Sequence, residues 1–371
     1  MEFIYTFNKH RAEPEVGAED YYRSLKMSLS NSIKGKKIVY LDTKFWILLR
    51  NGCLEPRNHP KERELLRIAL ELVGNEKCVF PISQNVFLEV LKQTDNNSLN
   101  ETVKLIDTLS LGVSSISYDE RAKLELLSYW YSLIGKETYD TNLLVWTKIP
   151  YCMGTFDLDI PICDESNLIR KAYMDQMWSI KLIDMIDVMR ENGELRKRYD
   201  FHNAEKLNIG KFKHSSDAKS FKDMFLNEVT GLVHSYGGCL GEMMVHIYEK
   251  STDRILDKDE REKNAKSSEK QMVNVFSNLF ALSKIENELP SFSVLASLYA
   301  AVRWDAKQKF QDNDFHDFQH ATTALPYCDY FFTEKRLTHM ITQNLLKLDK
   351  AYSCKVMSKV GDAKVALSNL L

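Results

Sequence analysis

The sequence predicts an α/β domain of three layers, with helices on both faces of a central, mostly parallel sheet, interrupted by a long all-helical insertion. Three observations carry this expectation. Short apolar runs rich in β-branched and aromatic residues alternate with helical periodicity early in the chain. From about Tyr118 to about Lys309 helical periodicity stands alone, and strand signals return only near the end. The expected layout is a lead-in over 1–35, the first half of the α/β domain over 36–117, the insertion over 118–300 and the second half over 301–371.

The lead-in is polar, punctuated by Pro14, Gly17 and Gly35, with one helix expected around Tyr21 to Leu29. Lys37-Ile38-Val39-Tyr40-Leu41 then reads as a buried strand that meets solvent at an aspartate. Lys61 to Val73 follows as a helix stopped by Gly74. Cys78 to Ile82 reads as a second strand, at an edge or a strand end because Pro81 has no N–H to give a ladder. Ser83 is a suitable N-cap for a helix over Gln84 to Gln93. In the insertion, helices are expected over Ala122 to Ile134, Asn167 to Arg190, Phe221 to Tyr248 and Gln271 to Ile285, with the charged run Asp253 to Lys270 as a loop. The closing strands are Tyr330 to Thr333 and Cys354 to Ser358.

Hydrophobic residues make up 44% of the 371, enough for a sizeable core. The 50 basic residues nearly balance the 52 acidic ones, so no global charge attracts a polyanion, and such a partner must be held by local patches. Seven widely spaced cysteines without a C-x-x-C pair argue against a disulfide framework or zinc cluster and point to the reducing cytoplasm. The opening residues lack the pattern of a signal peptide. The apolar stretch from Phe292 to Val302 is too short to cross a bilayer, so no membrane partner is expected.

The chemistry is expected at acids placed where strands end or helices begin. These are Asp42 in YLDTKFW, Glu89 in SQNVFLEV, the cluster in QDNDFHDFQHATTAL, and Glu334 in YFFTEKRL. In an open parallel sheet, ligands bind beyond the carboxyl ends of the strands, so acids distant in sequence can share one crevice there. A carboxylate set without nearby cysteines or paired histidines suits hard cations such as Mg²⁺ or Mn²⁺. Within the cluster, Asp314 and Asp317 are one helical turn apart and both are candidate ligands, whereas Asp312 is left out. His320 on the same helix is expected to pack or to hydrogen-bond a ligand from behind. Asp329 is excluded, since it begins the strand whose far end carries Glu334.

These segments resemble the motifs of the PIN-like domain family. LDTKFW is similar to the first, a strand, an aspartate and a small hydroxylated residue. Glu89 matches the second acid, Asp317-Phe-Gln-His320-Ala-Thr-Thr-Ala-Leu resembles the third motif, and Asp329-Tyr-Phe-Phe-Thr333-Glu334 the fourth. The resemblance spans roughly Lys36 to Leu109 and Ala300 to Leu371, and departs from the family in carrying Glu where the fourth acid is commonly Asp. It implies a metal-dependent nuclease using Mg²⁺ or Mn²⁺ held by Asp42, Glu89, Asp314, Asp317 and Glu334, with Thr333 orienting a carboxylate or binding phosphate. Single-stranded RNA is the implied substrate, and a toxin or defence effector the implied setting. A catalytically silent scaffold and a DNA nuclease are the alternatives. Lys34-Gly-Lys-Lys37, Arg196-Lys-Arg198 and Lys211-Phe-Lys213-His214 are the candidate substrate contacts, and the insertion the candidate surface for a protein partner or self-association.

Overall fold

The computed structural model describes residues 4–155, 165–196, 204–214 and 217–371. Helices α1 (Phe7–Arg11) and α2 (Ala18–Ile33) lead into β1 (Lys37–Leu41), followed by α3 (Thr43–Leu54), α4 (Pro60–Gly74), β2 (Cys78–Val79), α5 (Gln84–Val90), α6 (Asn96–Ser110) and β3 (Val113–Ser115). Next come α7 (Tyr118–Leu133), β4 (Trp146–Lys148), α8 (Ser166–Ser179), α9 (Leu182–Glu191), α10 (Ala204–Lys213), α11 (Phe221–Ser235), α12 (Gly237–Thr252), α13 (Lys258–Ala281) and α14 (Pro290–Trp304). The chain closes with α15 (Asp314–Tyr327), β5 (Tyr330–Phe332), α16 (Lys335–Thr342), α17 (Leu348–Ala351), β6 (Lys355–Met357) and α18 (Val360–Ser368).

The sheet is parallel and ordered β2-β1-β5-β6. Val39 stands opposite Tyr330 and Leu41 opposite Phe332, so the two ends of the sequence meet at the centre of one sheet. Val39, Tyr40, Leu41, Phe331 and Phe332 are all buried. Burial on both faces explains why these strands read as continuous apolar runs and not as alternations. Pro81 ends β2 after two residues, because it cannot donate. The chain resumes pairing one residue later, where Ile82 bridges to Ser114 in β3. β3 pairs antiparallel with β4.

The stretch from 118 to 300 is therefore not all helical, since β4 lies within it. Three residues are too few for a period-2 pattern to register. Other helices differ from expectation in their limits. The expected helix over Asn167 to Arg190 divides into α8 and α9 at Ile180, whose backbone is extended. The charged run is not a loop: Asp257 caps α13 by accepting from the Glu260 N–H at 2.8 Å, and Arg261 ties that helix to Glu242 and Glu249 on α12.

Two buried clusters share α14. Val294, Leu295 and Leu298 belong to the core around the sheet. Phe292 and Ala296 belong to a second core with Val229, Val233, Leu240, Phe276 and Phe280 of α11 to α13. A helix that is apolar all round is buried all round, which accounts for the uniform Phe292 to Val302 stretch. Among the described residues no helix is long and apolar enough to cross a membrane.

Candidate active site at the carboxyl ends of the strands

Asp42 leaves the end of β1 and caps α3, its carboxylate accepting from the Phe45 N–H at 3.0 Å. Its own N–H donates to the Phe332 carbonyl at 3.0 Å, so the ends of β1 and β5 stay in register up to the acid. Glu334 lies two residues beyond β5, at the N-cap position of α16, where its side chain makes no capping hydrogen bond. Glu89 comes from α5, which begins just past β2, and Asp317 from the first turn of α15. The sheet thus carries Asp42 and Glu334 on adjacent strand ends, and the two helices bring Glu89 and Asp317 to them.

His320 organises the interior of this site and is only 2% exposed. Its Nε2 lies 2.9 Å from Glu89 Oε2, and its Nδ1 lies 2.7 Å from the Tyr40 hydroxyl, which in turn lies 2.6 Å from Ser83 Oγ. Thr43 donates to the same Glu89 oxygen. Burial opposes a charge on His320, but Glu89, Asp42 and Asp317 outweigh it and raise the imidazole pKa. Burial would likewise raise Glu89, yet the charge and hydrogen bond of His320, with the bond from Thr43, pull it down to about 2. Each partner favours the charged form of the other.

The other two buried acids behave in the opposite sense. Burial lifts Asp42 to about 6, against the charge of His320 and the nearby Thr333 hydroxyl. That hydroxyl is buried without a well-aligned hydrogen bond, close enough to favour the carboxylate but not to complete a bond. Asp317 is lifted to about 7, first by burial and then by Glu334, Asp42 and Glu89, with only His320 opposing. Asp317 is thus the acid of this group whose ionisation the fold opposes most.

Asp314 is placed differently. It is 1% exposed, and its carboxylate takes both Nη atoms of Arg336 while Oδ2 accepts from the Gln311 N–H at 2.9 Å. The helical turn that separates it from Asp317 carries it into this ion pair and not into the acid cluster. Asp329 pairs with Lys37 and accepts from the Ile38 N–H at the opposite end of β5, as its position at the strand start implies. Lys211 donates to the carbonyls of Asp305 and Gln308, so it fastens a turn. Lys197 and Arg198 lie outside the described residues, as does the side chain of Arg196.

Sequence reasoning missed Tyr40, Ser83 and Arg336. The first two carry no signal beyond strand and cap, and Arg336 is one charge among many. Thr43 was visible as the hydroxylated residue after Asp42.

No known protein family, characterised protein or solved structure matches this chain. Among the described residues, no three or more His, Cys, Asp and Glu side chains come close enough together to hold a metal ion as a group. The fit of a divalent cation therefore rests on donor chemistry. Asp42, Glu89, Asp317 and Glu334 offer oxygens only, and the mutual repulsion expressed in Asp317 is what a hard cation would relieve.

Proposed function

We propose that this chain is a metal-dependent endoribonuclease of PIN-like type, acting on single-stranded RNA in the cytoplasm as a toxin or defence effector. The observation that carries the reading is that Asp42, Glu89 and Glu334, from three other segments, each raise the pKa of Asp317 at the carboxyl edge of one parallel sheet. The preference for RNA rests on the resemblance of these motifs to the PIN-like family. Asp42, Glu89, Asp317 and Glu334 would hold Mg²⁺ or Mn²⁺. When bound, such an ion lowers the pKa of a water and neutralises charge on the scissile phosphate.

The chain's own groups have separable tasks. His320 and Thr43 fix the rotamer of Glu89 from behind, so that its free oxygen is presented in one direction. The Phe45 N–H does the same for Asp42. Asp317, with a pKa of about 7, can take or release a proton near neutral pH until a cation holds it ionised.

A second reading, a catalytically silent scaffold, draws on the His320–Glu89 ion pair, which satisfies Glu89 without a metal. One experiment separates them. Purified protein should cleave single-stranded RNA with Mn²⁺ or Mg²⁺, lose activity in EDTA, and lose it again in Asp42→Asn and Asp317→Asn. Either variant within tenfold of wild type would refute the site, and a wild-type chain that neither cleaves nor responds to Mn²⁺ would favour the scaffold.

A further inference from the structure

Away from the acid cluster, α2, α7 and α8, with the loop that carries Glu137 and Tyr139, line an open cavity of about 680 Å³. Its size falls within the usual range for small-molecule sites, roughly 300 to 1,000 Å³. The walls combine aromatic and apolar groups with charges of both signs, the acids being Glu19, Glu120 and Glu137. Tyr22, Tyr131 and Tyr139 supply aromatic rings, backed by the apolar side chains of Leu124 and Leu127. Lys26 and Arg23 supply positive charge.

Lys26 is the unusual member. It is partly buried, its Nζ sits 4.8 Å from the centre of the Tyr22 ring, and it makes no ion pair or hydrogen bond among the described residues. Burial lowers its pKa, with the Arg23 charge adding to the effect and Glu120 opposing it. Glu120 does not take the ammonium, because its carboxylate accepts from Thr155 N and Oγ1 and from Ser117 Oγ. Glu19 and Glu137 also line the cavity, and neither pairs with Lys26. Arg23 lies over the Tyr139 ring, its guanidinium carbon 5.3 Å from the centre, held there by Asp20. A partly buried cation without an ion-pair partner, beside the Tyr22 ring and near Tyr139, is complementary to an anion that carries a planar aromatic group.

We propose that this cavity binds a mononucleotide, with the base among the tyrosines and the phosphate on Lys26 and Arg23. Phosphate supplies the counterion that Lys26 lacks. The base packs against Tyr131 and Tyr139, where stacking tolerates any base. The site shares no residue with the acid cluster and does not depend on the nuclease reading.

Isothermal titration of the full chain with AMP, UMP and ATP, in EDTA so that metal–nucleotide binding elsewhere is suppressed, tests it. At least one nucleotide should bind saturably with one-to-one stoichiometry. Lys26→Met, which keeps the bulk and removes the charge, should weaken binding at least tenfold, and Lys26→Arg should stay within threefold of wild type. If circular dichroism shows Lys26→Met misfolded, the exposed Tyr139→Ala should show the loss instead. No saturable binding by any of the three nucleotides overturns the proposal, as does binding indifferent to these variants. Binding of benzoate with no nucleotide binding would overturn the nucleotide assignment.

Discussion

Replacing Asp317 by Asn keeps the shape of the side chain and removes its charge, so it isolates what that charge costs the metal-free fold. The carboxyl has a pKa of about 7 in the folded chain, against about 3.9 when unfolded. Three units at about 1.4 kcal/mol each make about 4 kcal/mol acting against folding once the group is ionised in both states. The sign follows from proton counting. Between about pH 4 and pH 7 the folded state holds more protons at this site than the unfolded one, so its contribution to stability falls as pH rises and levels off above 7. An amide without a full set of partners returns roughly 1–3 kcal/mol of the gain.

In EDTA at pH 8, Asp317→Asn should therefore be as stable as wild type or more stable. The difference between the two proteins should shift by roughly 2–3 kcal/mol in favour of wild type on going to pH 5. Urea unfolding followed by tryptophan fluorescence reads both quantities. The same difference at both pH values, or a mutant clearly less stable at pH 8, would refute the electrostatic account of the cluster. Mn²⁺ at a hundred times its Kd should stabilise wild type by about 2.7 kcal/mol and the mutant much less. Equal stabilisation of the two would remove Asp317 from the proposed ligand set.

Arg336→Met should cost about 3–5 kcal/mol in urea unfolding, because it strands the buried Asp314 carboxylate. The Mn²⁺-induced rise in Tm should survive in Asp314→Asn, and its loss would restore Asp314 as a ligand. His320→Ala should cost about 3–5 kcal/mol by removing the cation beside Glu89. Glu89, with its lowered pKa, stabilises fully above its unfolded value, and His320, with its raised pKa, stabilises fully below its own. The loss should therefore be larger at pH 5.5 than well above the raised imidazole pKa, and the reverse order would show that packing dominates.

What the sequence revealed follows from how each signal is generated. Strands β1 and β5 were legible because both faces are buried, which forces uninterrupted apolar runs, and their direct pairing joins the two halves in one sheet. β3 and β4 were not, since Val113-Ser-Ser115 and Trp146-Thr-Lys148 have neither the length nor the composition to stand out. The boundary of α13 was hidden for another reason: a run of charges reads as solvated chain unless the partners on a neighbouring helix are known, and Glu242 and Glu249 lie on α12. At the site, strand ends and helix starts pointed to Asp42, Glu89, Asp317 and Glu334. Helical spacing alone could not separate Asp314 from Asp317, because the deciding group, Arg336, arrives from a different helix.

The stretch between the two halves is joined to the acid-bearing helix by buried polar groups as well as by apolar packing. Arg121 and Glu125, one turn apart on α7, are each 1% exposed. Arg121 donates from Nε to Ser291 Oγ on α14 and from Nη2 to Thr322 Oγ1 on α15, both at 3.0 Å. Glu125 accepts from Ser291 N and Oγ and from the Tyr327 hydroxyl at the end of α15, although burial lifts its pKa to about 7. Burying such charges is costly, and apolar residues of similar volume would often stabilise a fold as well or better. What the polar groups supply is direction: each hydrogen bond is made in one relative placement of α7, α14 and α15. Thr322 stands two residues after His320 and five after Asp317 on the same helix. A partner that displaced α7 would have to break these bonds or carry α15 with it, and with α15 the geometry of two of the site's groups.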